Sequence, residues 1–411
     1  MISEIYQLSR QFLEKYHRPY VRYFLEQHPF SNRFSIVIGE RGVGKSTAMI
    51  QHLLSKASGD ILSTEILYVQ SDHFLVGRYA LYEIAEEFVK RGGKLICFDE
   101  IHKYAGWSQE LKSIYDTFTD LNIIATGSSA LEIARGSHDL SRRALVRKME
   151  GMSLREFAEM SLGIELETFG LEQILEQHET IARNVVSVLN TKGEKIVPLF
   201  DRYLRYGYYP FFWESQDENL FHLLLEQNLH TILEVDLSSV HTNLTGENIR
   251  RIKKLLAFIA GAVPFMPNFG TLKESVGVGD NRTLKTYLGY LADAGLLLLI
   301  ETEGREYSAM RKPEKIYLGN TNQLFALSEK GRVNRGTVRE IFFARSLSAH
   351  HKVQLPHKGD FLVDKECLFE IGGKNKTFKQ IAGQRNGYLA LDNIETGFGK
   401  KIPLWLFGFL H

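Results

Sequence analysis

Apolar residues in the first third of the chain fall in short unbroken runs, each followed by a segment of helical period. FSIVIG leads into KSTAMIQHLLSK, EILYVQ into ALYEIAEEFVKR, KLICFDE into WSQELKSIYDTF, and NIIATGSS closes the series, all between Phe34 and about Met160. A run that is apolar at every position marks a strand buried on both faces, and its alternation with helices predicts a parallel sheet covered on both sides. From about Ser161 to Gly246 helix formers take over (LEQILEQHETIARNVVSVLN, NLFHLLLEQNLHTILEVDL), interrupted by the aromatic RYGYYPFFW. From Glu247 the segments RRIKKLLAFIAGAV, TLKESVGV and RTLKTYLGYLADAGLLLLI predict helices. In the last of these Leu284, Tyr287, Leu288 and Leu291 fall at i, i+3, i+4 and i+7 and predict one buried face. A helix GTVREIFFARSLSA and the strand-like KGDFLVDKECLFEI follow.

This pattern predicts an α/β core over 1–160, a helical lid or connector over 161–246, a winged helix-turn-helix over 247–312 with LLLLIETEGREYSAMRKPEKIYLG as its wing, and a small α/β domain over 313–411. Parallel sheets bind ligands at the carboxyl ends of their strands. At that end of the first strand, Gly39-Glu40-Arg41-Gly42-Val43-Gly44-Lys45-Ser46 fits the phosphate-binding pattern G-x-x-x-x-G-K-[ST], with Thr47 beside it. Its glycines let successive backbone N–H groups converge on phosphate oxygens, and the following helix adds positive potential. The expected ligand is ATP with Mg²⁺: Lys45 for the β- and γ-phosphates, Ser46 for the metal, Thr47 near the α-phosphate.

KLICFDEIHKY delivers Asp99 and Glu100 to the end of another strand of the same sheet. Asp99 is expected to hold the metal through water and Glu100 to polarise the attacking water; a strand ending in solvated acids is the plainer alternative. The pair resembles that of the additional-strand, catalytic-glutamate division of P-loop ATPases, which implies that fold class for the core. Thr126 or Ser128, at the end of NIIATGSS, is placed to position water or simply to shape a tight turn. Arg142, Arg143, Arg147 and Lys148 crowd HDLSRRALVRKMEG, where a guanidinium can stabilise a transferring phosphoryl group from its own or a neighbouring subunit. SLRE, Ser153 to Glu156, predicts a helix capping box.

Composition narrows the partners. The 411 residues carry 50 basic and 49 acidic side chains, so no global field draws the molecule onto nucleic acid or an anionic membrane. Asn281, Arg282 and Lys285, with Arg250, Arg251, Lys253 and Lys254, form a local basic set suited to DNA contact or to protein docking. The aromatics of RYGYYPFFW suit either base stacking or core packing. Two cysteines far apart, Cys97 and Cys367, argue for reduced thiols and a cytoplasmic setting. No apolar run reaches the length of a membrane span, and no leader is expected.

GERGVGKST, LICFDEIHKY, NIIATGSSALE, LSRRALVRKMEGMSLREF and LRYGYYPFF, in this order, resemble a group of prokaryotic AAA-type ATPases that carry a winged helix and a C-terminal domain of unknown function related to restriction-type nucleases. The resemblance implies ATP hydrolysis, matches Arg143 to the group's arginine, and allows a homo-oligomer that completes its sites between subunits. Arg142 stands where the group has glycine. It also implies the order of nuclease metal ligands in Glu340, Asp360 and Glu370. The lysine expected two residues after the last acid is missing, because 372 is glycine, leaving Lys374 or Lys376 as displaced substitutes. An inactive or regulatory nuclease-like domain is therefore the expectation, with a slow ATP-dependent switch and an ATP-gated DNA endonuclease as alternatives.

Overall fold

Five strands, β1 (Phe34–Ile38), β2 (Ile66–Gln70), β3 (Leu95–Asp99), β4 (Asn122–Gly127) and β5 (Leu145–Lys148), form a sheet in the order β2-β3-β4-β1-β5, parallel throughout. The computed structural model describes residues 2–127, 140, 142–241, 243–262, 264, 268–303, 313–328 and 333–410. The register sets Val37 beside Thr126 and Arg147, and Phe98 beside Ala125. On one face Phe34, Ile36, Ile96, Phe98 and Ile123 pack against Ile84 and Phe88 of the helix Leu81–Lys90 and Leu111 and Ile114 of the helix Trp107–Thr117. Each such side chain removed from water contributes about 1.5–3 kcal/mol before entropy is counted. The unbroken apolar runs of the sequence are the signature of this two-sided burial.

The chain divides into two compact units: Met1–Gly151 with Glu234–Asn243, and Met152–Leu233 with Leu244–His411. The first unit thus holds the parallel sheet and takes back a short segment from much later in the sequence. The second unit opens with the helix Leu154–Leu162, where Ser153 Oγ accepts from Glu156 N at 3.2 Å and Glu156 Oε2 accepts from Ser153 N at 3.1 Å. That is the predicted capping box.

In the second unit the helices Gly246–Ala262, Phe269–Val276 and Asn281–Asp293 precede an antiparallel pair, β6 (Leu297–Ile300) with β7 (Lys315–Leu318). Leu284, Tyr287, Leu288 and Leu291 are all buried, as the helical spacing predicts. A second sheet contains β8 (Val353–Gln354), β9 (Phe361–Val363), β10 (Cys367–Gly373), β11 (Gly387–Asp392) and β12 (Lys401–Pro403) in the order β12-β11-β10-β9-β8. β10, β11 and β12 run parallel, while β9 is antiparallel to both β10 and β8. Phe343, from the helix Arg335–Ser348, meets the rings of Phe361, Phe369 and Phe407 at 4.8–5.5 Å and anchors that helix on the sheet. In RYGYYPFFW, Tyr208, Tyr209 and Phe212 are buried, so these rings belong to the core; just before it Tyr203 is buried too and donates to the carbonyl of Met152 at 2.8 Å.

Candidate functional site

The P-loop leaves β1 at its carboxyl end and enters the helix Lys45–Lys56. Gly42 and Gly44 take φ of 89° and 96°, a left-handed conformation that a side chain would strain. Gly39 meets the need for space instead, because a Cβ there would collide with the carbonyl of Met149. Arg22, buried at 7% exposure, braces the loop from behind, donating to the Val43 carbonyl at 2.7 Å and the Glu150 carbonyl at 3.1 Å. Gln51 ties the same N-terminal stretch to the helix through the carbonyls of Arg18 and Tyr20. Arg41 points to Asp236 at 3.5 Å, linking the loop to the returning segment Glu234–Asn243.

Lys45 Nζ donates to the carbonyls of Gly39 and Glu40 at 3.0 and 2.9 Å. Burial lowers its pKa, opposed by the charges of Glu100, Asp99 and Asp236. Opposite, Asp99 is 2% exposed and takes donors on both oxygens. Ser46 Oγ donates to Oδ2 at 2.6 Å, joined there by the Tyr68 hydroxyl. Thr126 Oγ1 and the backbone N–H of Glu100 donate to Oδ1, the latter at 3.0 Å. Burial first, then Asp99, raises the pKa of Tyr68, which keeps its hydroxyl a donor.

Glu100 adopts φ 51°, ψ 37°, a left-handed conformation that costs a non-glycine residue on the order of 1 kcal/mol or more. The bonds from its N–H to Asp99 Oδ1 and Thr126 Oγ1 hold it there. Its carboxylate lies 3.0 Å from Lys103 Nζ and 3.8 Å from His102 Nε2. Burial pushes its pKa up, but Lys45, His102 and Lys103 outweigh burial and the pKa is lowered. Glu100 is therefore ionised and partly engaged.

The sheet thus brings Lys45, Ser46, Asp99, Glu100 and Thr126 together. Thr126 braces the two acids, donating to one and accepting from the other's backbone. Ser128 lies outside the described residues. Arg143 is not with this group: it precedes β5, whose Leu145 pairs with Ser35 at the amino end of β1, and it grips Asp116 with two bonds of 2.8 and 3.0 Å. A five-residue strand at ~3.3 Å per residue separates that edge from the P-loop. In this structure Arg143 therefore lies at the amino edge of the sheet, paired with Asp116. Arg147 meets His28 and Lys148 meets Glu150. Arg22, Tyr68, Lys103 and Asp236 had no sequence motif to mark them; only the i, i+3 spacing of Glu100 and Lys103 offered a signal.

The acids of the second unit are arranged differently. Glu340 Oε2 accepts from Lys315 Nζ at 2.8 Å and from the Tyr317 hydroxyl. Glu370, fully buried on β10, pairs with Lys376, and Asp360 Oδ2 accepts from Ile371 N at 2.7 Å. Of the two candidate lysines, Lys374 and Lys376, it is Lys376 that pairs with Glu370. The lysine side chain lies over Gly372, where a Cβ would come 2.7 Å from that of Lys376. Burial, then Glu370 and Glu340, push Asp360 up to about 6. Lysine ammonium groups thus pair with two of the three acids, Glu340 and Glu370. Among the described residues no three His, Cys, Asp or Glu converge as a metal cluster; a P-loop site needs none, since hydroxyl, water and phosphate complete the shell.

Of the basic set, Arg250, Lys254, Asn281 and Arg282 are exposed, while Arg251 is tied to Glu247 at 2.5 Å. Cys97 and Cys367 are free thiols, and among the described residues no helix is long and apolar enough to cross a membrane.

Residues 31–158 match a family described as an AAA domain, and residues 197–332 a domain of unknown function (DUF8612). The sheet order and P-loop agree with the first match, and the chain resembles AAA-type P-loop ATPases. An uncharacterized protein of Methanocaldococcus jannaschii is 28% identical over 289 residues, 68% of this chain, and the chain spans 59% of that relative's length. Among solved structures, two variants of Thermotoga maritima RuvB align at 14% and 15% identity over 73% and 74% of this chain and 89% of theirs, with TM-scores of 0.29 and 0.26. Saccharomyces cerevisiae Rif2 aligns at 13% identity over 56% of this chain and 90% of its own, with a TM-score of 0.29.

Proposed function

We propose that the protein binds Mg²⁺-ATP at the P-loop and hydrolyses it, and that nucleotide state is relayed to its winged-helix-like and C-terminal parts. The observation that carries this reading is the 2.6 Å bond from Ser46 Oγ to Asp99, with Glu100 adjacent and Lys45 seated on the loop carbonyls. Ser46 and Asp99 are the residues that would hold Mg²⁺, which supplies charge neutralisation on the phosphates when bound. Lys45 moves from the Gly39 and Glu40 carbonyls to phosphate. Glu100 orients the attacking water and accepts its proton. Thr126 keeps the acids in register.

Arg143, held on Asp116 at the amino edge, supports a role only across a subunit boundary, and so favours a homo-oligomer. The Arg41–Asp236 pair supports the relay, because segment 234–243 belongs to the first unit while both its chain neighbours belong to the second. The order of three helices and an antiparallel pair supports a winged helix, with exposed Arg250, Lys254 and Arg282 able to meet DNA phosphates or an acidic protein face. A slow nucleotide switch is the second reading, favoured by the engagement of Glu100 by Lys103. The lysine-filled acids give an ATP-gated endonuclease no support.

Hydrolysis and nucleotide binding in wild type, Lys45→Ala and Glu100→Gln test the proposal. Wild type turns over, Lys45→Ala does not bind, and Glu100→Gln binds with kcat lowered about 10²-fold or more. Wild-type turnover in Glu100→Gln would remove the catalytic assignment. Single-turnover rates with and without DNA separate a DNA-stimulated ATPase from a slow switch.

A further inference from the structure

Lys103 ends the short turn Ile101–Lys103 that follows Glu100. Its ammonium lies 3.0 Å from Glu100 Oε2 and 2.7 Å from Asp72 Oδ2, bridging the loops that leave β3 and β2. All three side chains are only about one-fifth to one-quarter exposed, at 23%, 25% and 19% for Lys103, Asp72 and Glu100. Solvent therefore screens this bridge less than an ordinary surface ion pair. Asp72 is itself fixed, accepting from Gln70 Nε2 at 2.9 Å.

Resting on the ATPase reading, we propose that Lys103 is a positioning residue that restrains Glu100 and keeps basal hydrolysis slow. The backbone of Glu100 cannot adjust, because its N–H is tied to Asp99 and Thr126. Only side-chain torsions can bring the carboxylate to a water, and the ion pair with Lys103 at 3.0 Å opposes that rotation. Asp72 makes the restraint reversible. When Glu100 swings away, the ammonium keeps one carboxylate partner, so release strands no half-buried charge. The restraint thus acts on the catalytic step and leaves the phosphate cradle untouched.

The relation between the two carboxylates gives opposite signs for two variants. Lys103→Met frees Glu100 and raises kcat for ATP by about 3- to 10-fold with KM unchanged, the size expected of one screened ion pair. Asp72→Asn leaves Lys103 with Glu100 as its one charged partner and lowers kcat. Lys103→Arg keeps the bridge and the wild-type rate. Lys103→Met combined with Glu100→Gln is as slow as Glu100→Gln alone, showing that the gain runs through Glu100. A fall in kcat for Lys103→Met, or a change in KM only, overturns the proposal. If wild type hydrolyses ATP and Glu100→Gln stalls while Lys103→Met gives no gain, the restraint fails and the ATPase reading stands. If neither wild type nor Lys103→Met hydrolyses ATP, both fall together.

Discussion

Asp99 and Glu370 are both carboxylates on sheets, both essentially excluded from solvent, and their surroundings differ in one respect that decides what each can do. Asp99 is held by the hydroxyls of Ser46, Tyr68 and Thr126 and a backbone N–H, all neutral donors. Its negative charge is oriented but not cancelled, and the Ser46 hydroxyl can turn its oxygen toward a cation. Glu370 is held by the ammonium of Lys376, which cancels the charge in place. A buried acid fixed by dipoles stays available to a metal; one fixed by a lysine has become part of the packing.

The largest effects should fall on the first site. Lys45→Ala should weaken nucleotide binding by about 100-fold or more by calorimetry, because Lys45 is the ammonium seated on the loop carbonyls, whereas Lys376→Ala should leave binding unchanged. In the second unit the effect is on stability. Lys376→Met strands Glu370 and should loosen β10 by on the order of 2–3 kcal/mol in native-state hydrogen exchange, below the ~3–5 kcal/mol of a fully buried pair because the lysine is partly exposed. Adding Glu370→Gln should restore most of that protection, since the pair rather than either partner is what the core tolerates.

The smallest effect is a pH dependence of the same region. Asp360 is pushed up to about 6 from 3.8, so the native state binds more protons than the unfolded chain between those values. Protonated Asp360 therefore stabilises the fold below about pH 4, and the contribution is lost as pH rises through 6. The loss is about 2 kcal/mol after discounting for partial exposure. Hydrogen exchange at β9 and β10 between pH 4.5 and 7.5, corrected for intrinsic rates, should show it, and Asp360→Asn should remove it. An unchanged slope in that variant would place the coupling elsewhere.

Much of the first unit was readable because its physics is local in sequence. The run FSIVIG ends where the glycines begin, and KLICFDE ends in the acids, so strand ends and motifs coincide. The buried face of Leu284, Tyr287, Leu288 and Leu291 followed from helical period alone. What stayed hidden depends on residues distant in the chain. Arg22 reaches Val43 and Glu150, Tyr68 reaches Asp99, and Asp236 returns to Arg41 across nearly two hundred positions. Arg143 was legible as a motif match but not as a location, because only the pairing of Leu145 with Ser35 shows which edge of the sheet it occupies. The choice between Lys374 and Lys376 was likewise not legible: only the structure shows Lys376 folding over Gly372 to pair with Glu370.

The contrast between the two acids is tested most directly by counting bound Mn²⁺ by electron paramagnetic resonance, with and without ATP, in wild type, Asp99→Asn and Glu370→Gln. A single ion should bind only with nucleotide, disappear in Asp99→Asn and persist in Glu370→Gln. Binding without nucleotide that Glu370→Gln abolishes would contradict the account.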